Sequence, residues 1–91
     1  MSGTITYLGW AFGLRIDPES KLLACYLAGI FGQDGVTVLD LAQAAAWCGF
    51  LTSAQKILQI NRVRVALQGI PGIAFEYRGD DRVMVKLEGW S

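Results

Sequence analysis

Apolar residues change their spacing along this chain, and each change marks an element. At the start, Thr4 to Leu8 (TITYL) alternates weakly, which suggests a short strand or an extended arm over residues 1–9. Trp10, Phe12 and Leu14 follow as apolar anchors. Asp17-Pro18-Glu19 then reads as a helix start. Asp17 caps the first amides, Pro18 suits the first turn, and Glu19 complements the positive end of the helix dipole. Leu23, Tyr26, Leu27, Ile30 and Phe31 recur at helical spacing, with Leu22 widening the stripe. Gly32-Gln33-Asp34-Gly35 stops the pattern, so the first helix is predicted over about 17–32.

Thr37 with Asp40 resembles a capping box, followed by the Ala-rich VLDLAQAAAWC and a terminating Gly49, which predicts a second helix over about 37–48. Thr52 with Gln55 repeats the capping pattern and opens a third helix over about 52–68. Its periodicity is not clean. Gln55, Gln59 and Arg62 share one edge, whereas Asn61, Arg64 and Gln68 share another about half a turn away. Either this helix is buried on two sides or it breaks near Ile60-Asn61; the break is the reading adopted. The period then falls to two: Ile73, Phe75 and Tyr77 alternate with Ala74, Glu76 and Arg78. After the GDD turn, Val83, Val85 and Leu87 alternate with Met84, Lys86 and Glu88. That is a hairpin over 73–88 with one apolar face. Leu23, Leu27, Ile30, Leu41, Ile57, Val63, Leu67, Phe75, Val83 and Val85 are the predicted core.

Composition narrows the function classes. The 91 residues allow one domain over 1–91, and 53% hydrophobic against 18% charged residues argues for a folded chain. Eight basic and eight acidic residues balance to zero, a poor start for non-specific DNA binding, which draws most of its affinity from phosphate neutralisation. Histidine is absent, so Ser20, Ser53, Cys25 and Cys48 have no histidine to activate them, and the scattered acids show no metal-ligand spacing. The expectation is therefore no enzyme, no catalytic residues, no metal and no cofactor. Cys25 and Cys48 lie in apolar stretches and read as reduced, buried thiols, with a disulfide or redox switch as the alternative. The N-terminus lacks a signal-peptide pattern, and LLACYLAGIF is about half a bilayer span, so a cytoplasmic protein without membrane contact is expected. Arg78-Gly79-Asp80 matches an adhesion tripeptide, which a Gly-Asp hairpin turn explains locally.

The element order and several local motifs carry a resemblance. WAF, then PESKLLACYLA, a Gly-containing loop, Leu41-Ala42, Gly49, and a helix closing on GI before a hairpin span most of the chain. This pattern resembles the winged-helix domains at the N-termini of phage and plasmid replication proteins and their small phage relatives. The resemblance implies an α+β fold: a winged helix-turn-helix of three helices followed by a C-terminal hairpin wing. It also implies that the helix after Gly49 reads the major groove of double-stranded DNA. Carried over by position, Thr52, Ser53, Gln55, Lys56 and Gln59 face DNA, or Asn61, Arg62 and Arg64 if the helix breaks. Arg78 and Arg82 then flank the wing tip within reach of phosphates. The implied role is a transcription regulator or replication accessory, with a possible homodimer, since one such domain covers one half-site.

Two departures point elsewhere. TSAQK holds one Lys where relatives carry a Ser-Arg-rich run, and Asp80-Asp81 places repulsion at the wing tip. The rival reading is a phage-encoded, anti-CRISPR-like inhibitor that keeps the fold and binds a host protein. Trp47, Asp80, Asp81 and Trp90 are its candidate contacts, although Trp47 is placed first in the core. The surface around the third helix and the wing discriminates: contiguous positive charge favours DNA, an apolar or acidic patch favours a protein.

Overall fold

The computed structural model describes residues 3–49, 56–79 and 81–88, with backbone alone for 3–6 and for Lys56. The elements run α1 (Gly3–Gly13), α2 (Pro18–Ile30), β1 (Val36–Asp40), α3 (Leu41–Cys48), α4 (Lys56–Gln68), β2 (Ile73–Tyr77) and β3 (Arg82–Leu87). The fold is α+β, with helices packed on an antiparallel sheet of order β1-β3-β2. Among the described residues no helix is long and apolar enough to cross a membrane.

The N-terminal arm predicted over 1–9 is instead helix α1, so the described residues hold four helices where three were expected. Tyr7 and Ala11 are fully buried one turn apart, and Leu8, Trp10 and Leu14 pack beside them. Burial of that stripe outweighs the weak β preference of Thr4, Ile5 and Thr6. Tyr7 reaches across to α2: its hydroxyl donates to the Gly32 carbonyl at 2.6 Å, and its ring lies 5.4 Å from that of Phe31. Lys21 Nζ donates to the carbonyls of Phe12 and Leu14 at 2.9 and 3.2 Å, placing a cation on the negative end of α1.

Helix α2 begins as expected. Asp17 accepts from the Ser20 amide at 3.2 Å, and hydrogen bonding from the Ser20 side chain, then from its amide, lowers the carboxyl's pKa. The second helix does not begin at Thr37. Residues Val36 to Asp40 form β1, whose partners on β3 run from Val36↔Lys86 to Asp40↔Arg82. The β-branched VTV run supplies the edge strand, turning Thr37 and Leu39 towards Val85 and Val83. Asp40 then caps α3, accepting from the amides of Ala42 and Gln43 at 3.0 and 3.1 Å. Gly49 closes α3 in the left-handed conformation at φ 77°, as predicted.

Helix α4 is continuous through Ile60-Asn61, which corrects the predicted break. No Pro or Gly interrupts it, and its mixed periodicity has another origin. Val63, Ala66 and Leu67 are buried, polar residues occupy the flanks, and aliphatic residues return on the far side. The hairpin pairs as expected, Ile73↔Leu87, Phe75↔Val85 and Tyr77↔Val83 on the core face. The Arg78 amide closes it on the Arg82 carbonyl at 2.7 Å.

Leu23, Leu27, Leu41, Val63, Leu67, Val83 and Val85 are buried as predicted, with Phe75 half-buried against them. Ile30 and Ile57 are not core residues; they are 37% and 64% exposed. Ile30 falls on the Tyr26 side of α2, at the edge of its buried stripe, and Ile57 lies across α4 from Ala66.

The α2–α4 junction is tight. Ser20, buried, donates from Oγ to the Ala66 carbonyl at 2.8 Å, and a Cβ added at Gly69 would collide with that hydroxyl. We therefore expect Gly69→Ala to cost about 1–3 kcal/mol. The cost should shrink when Ser20→Ala removes the obstructing oxygen. Urea denaturation of both single variants and the double variant reads this; strictly additive losses would show that the two residues do not share the contact.

Candidate functional site

Helix α4 was expected to read DNA, so the placement of its side chains decides what the domain can touch. Facing inward are Val63, Ala66 and Leu67, with Ile60 half-buried beside them. The residues at 57, 58, 61, 65 and 68 recur at three- and four-residue spacing and lie opposite. Those positions hold Ile57, Leu58, Asn61, Val65 and Gln68, all exposed. Ile57, Leu58 and Val65 are 64%, 50% and 69% exposed, more than isolated surface aliphatics would require. This solvent face carries no charge over residues 57–68.

The expected DNA-reading cations are turned to the flanks. Arg62 reaches α2, where Nε donates to Glu19 Oε1 at 2.9 Å and Nη2 bonds the same oxygen. That carboxylate raises the guanidinium's pKa, and the pair straps α4 to α2. Arg64 donates to Asn61 Oδ1 at 3.3 Å and lies 5.4 Å from the Tyr77 ring centroid, over the first hairpin strand. Gln59 is half-buried. Of the α4 residues proposed to face DNA, Asn61 alone stands on the solvent face among those whose side chains are described. Lys56 opens the helix, its side chain outside the description, and Thr52, Ser53 and Gln55 lie outside the described residues.

The hairpin arginines are exposed, but they sit among acids. Arg78 approaches Glu76 at 3.6 Å and Met84 sulfur at 3.5 Å. Arg82 stands opposite Asp40 in the sheet register and lines a shallow cleft with Val38, Asp40 and Gln43. Asp81 is exposed at the tip and its carbonyl accepts from the Leu41 amide at 2.8 Å, tying the hairpin to the start of α3. Asp80 and Trp90 lie outside the described residues. These cations therefore alternate with carboxylates and do not merge with α4 into one positive surface.

Trp47 is not in the core. It is 58% exposed, its ring 5.1 Å from Tyr26. Tyr26 stands one turn from Leu22 and from Ile30 on α2, so the pair begins a second apolar surface. Beneath it Cys48 is buried and free, and Cys25 is half-buried and free. Among the described residues no cluster of three His, Cys, Asp or Glu side chains could hold a metal. The exposed aliphatics of α4 were within reach of sequence reasoning: Ile57, Leu58, Ile60, Val63, Val65 and Leu67 are more than one helix face can bury.

No protein-family model, curated protein or solved structure matches the chain.

Burial pushes the Cys48 thiol from 9.0 up to about 11, with Cys25 adding to the shift. The fold thus favours the neutral thiol. Its contribution is complete below pH 9 and is lost as pH rises through about 11, because the unfolded chain ionises first. The urea midpoint should fall over that window, and fall less in Cys48→Ala. Labelling of Cys48 by a thiol reagent at neutral pH should be slow until urea unfolds the chain; rapid native labelling would contradict its burial.

Proposed function

We propose that this chain is a winged-helix module that works by docking protein through the outer face of α4. Support for the architecture comes from the order α2-β1-α3-α4-β2-β3 and the sheet order β1-β3-β2. In this reading α1 is an addition, α3 and α4 form the helix-turn-helix, and β2-β3 is the wing. The observation that carries the protein-docking role is the exposure of Ile57, Leu58 and Val65 where a DNA reader presents polar and basic side chains.

Energetics favours the same choice. Duplex binding draws on phosphate neutralisation, and here Arg62 is engaged by Glu19 while the hairpin arginines stand beside Glu76 and Asp40. An aliphatic face gains nothing from phosphates. Covering it with protein removes apolar area from water at about 25 cal/mol per Å². This supports the protein-binding reading of the phage resemblance over a regulator or replication accessory.

The DNA role stays as the second reading on one observation: α4 and the hairpin occupy the relative order of a recognition helix and wing. Fluorescence anisotropy with labelled duplex separates the two. We expect no saturable binding at moderate salt. Saturable binding that weakens steeply with salt, and tightens when Asp80 and Asp81 become Asn, would replace the protein-docking role with the DNA role.

A further inference from the structure

The two edges of the sheet end differently. On β1 the outward backbone groups begin at Val36, and both are engaged within the chain. Its amide donates to Asp34 Oδ1 at 3.2 Å, and its carbonyl accepts from the Gly32 amide at 3.1 Å. The chain then leaves that edge at Asp40 to enter α3. On the far side of the sheet, β2 is open. The Arg78 amide bonds the Arg82 carbonyl at 2.7 Å, and the Glu88 amide bonds the Gly72 carbonyl at 2.9 Å. Carried through the hairpin register, this alternation assigns Ala74 and Glu76 to the ladder with β3. The N–H and C=O groups of Ile73, Phe75 and Tyr77 therefore point to the outer edge. No hydrogen bond from the described residues reaches them there.

Independently of α4, we infer that this edge binds an extended, acidic segment of a partner protein, added antiparallel to β2 as a fourth strand. The unpaired groups specify an extended backbone, and antiparallel pairing is the arrangement of the rest of the sheet. Proteins usually blunt such an edge with Pro, Lys or a bulge. Residues Ile73 to Tyr77 carry none of these, and Ile, Phe and Tyr at the outward-bonding positions favour strand pairing.

Charge selects the partner. Lys86 stands opposite Ala74, is exposed, and among the described residues has no ion-pair partner. Ala74 is small, and a shallow cleft of about 280 Å³ opens there, lined by Ala74, Phe75, Glu76, Met84 and Lys86. An added strand lies about 4.8 Å beyond β2, so the Lys86 stem can cross Ala74 to a carboxylate on it. Glu76 does not oppose this, since it is drawn to Arg78. On the other face the Phe75 and Tyr77 rings stand edge to face at 5.9 Å, half-buried and 41% exposed. They suit apolar side chains of the incoming strand. Arg64 lies over Tyr77, so this end is positive as well. The segment that fits alternates apolar residues, facing Phe75 and Tyr77, with acids facing Lys86.

Titration of the native chain, followed by amide NMR, tests this with a capped peptide of about seven residues in which valine and glutamate alternate. Such a peptide spans β2 at about 3.3 Å per residue. Saturable shifts should centre on Ile73, Phe75 and Tyr77, and their amides should become protected from hydrogen exchange. In antiparallel register the valine amides face β2, so N-methylating them should abolish binding, whereas N-methylating the glutamate amides should not. A peptide with lysine in place of glutamate should bind about fivefold more weakly. Lys86→Glu, at an exposed position, should reverse that preference and leave the thermal melt in place. No saturable shift along β2 with millimolar peptide would overturn the edge as a docking site. Binding that survives valine N-methylation would overturn antiparallel strand addition, and equal binding of the two peptides would overturn the acidic partner. Protection of the same amides on concentrating the native chain alone would give the edge to a second copy instead.

Discussion

The contact between α2 and α4 decides how the rest of the molecule is presented. The buried Ser20 hydroxyl bonds the Ala66 carbonyl, Gly69 leaves room for it, and Arg62 reaches Glu19 on the same side. Together they hold α4 in one rotation about its own axis. A helix with aliphatic residues on two sides has no unique rotation from hydrophobicity alone. Polar bonds with fixed partners supply what the apolar pattern leaves open. Once that rotation is set, Val63 and Leu67 must be inside and Ile57, Leu58 and Val65 must be outside.

The proposed function rests on what this rotation leaves available. An arginine on a helix next to a candidate wing suggests phosphate contact, yet Arg62 directs its charge to a carboxylate within the fold. The aliphatic side chains that look like core in the sequence become the surface. Around them the remaining charges alternate in sign, as Arg78 beside Glu76 and Arg82 opposite Asp40. Neighbouring charges of opposite sign weaken each other's long-range field, whereas an uncharged apolar patch acts at contact. The winged-helix reading and the surface chemistry therefore favour different partners, and the protein-docking proposal rests on the surface.

The misreadings share one cause. Thr4, Ile5 and Thr6 have a strand-like preference, but α1 forms because Tyr7 and Ala11 find Phe31 and the end of α2. The VTVLD run has a capping pattern, but β3 needs a partner on its free edge and Leu39 needs burial, so the strand wins and Asp40 caps one turn later than Thr37 was expected to. Trp47 was placed inside by size and apolarity. An Ala-rich helix of eight residues already buries Leu41, Ala44, Ala45 and Cys48, and Trp47 falls on the opposite side. In each case a local preference of a few tenths of a kcal/mol met a tertiary contact worth more.

What the chain determined by itself was local. Asp17-Pro18 at the start of α2, Gly49 at the end of α3, the alternation of the hairpin and most of its core register depend on backbone sterics and side-chain period. Neighbours in sequence suffice for those. The α+β class followed from their order. The fourth helix, the third strand, the unbroken α4 and the identity of its exposed face were decided only in the folded molecule. Each depends on a contact between residues far apart in the chain: Tyr7 with Gly32, Val36 with Lys86, Glu19 with Arg62 and Ser20 with Ala66. Periodicity says that a helix has an apolar side; which apolar side is buried depends on the shape and bonding of what packs against it.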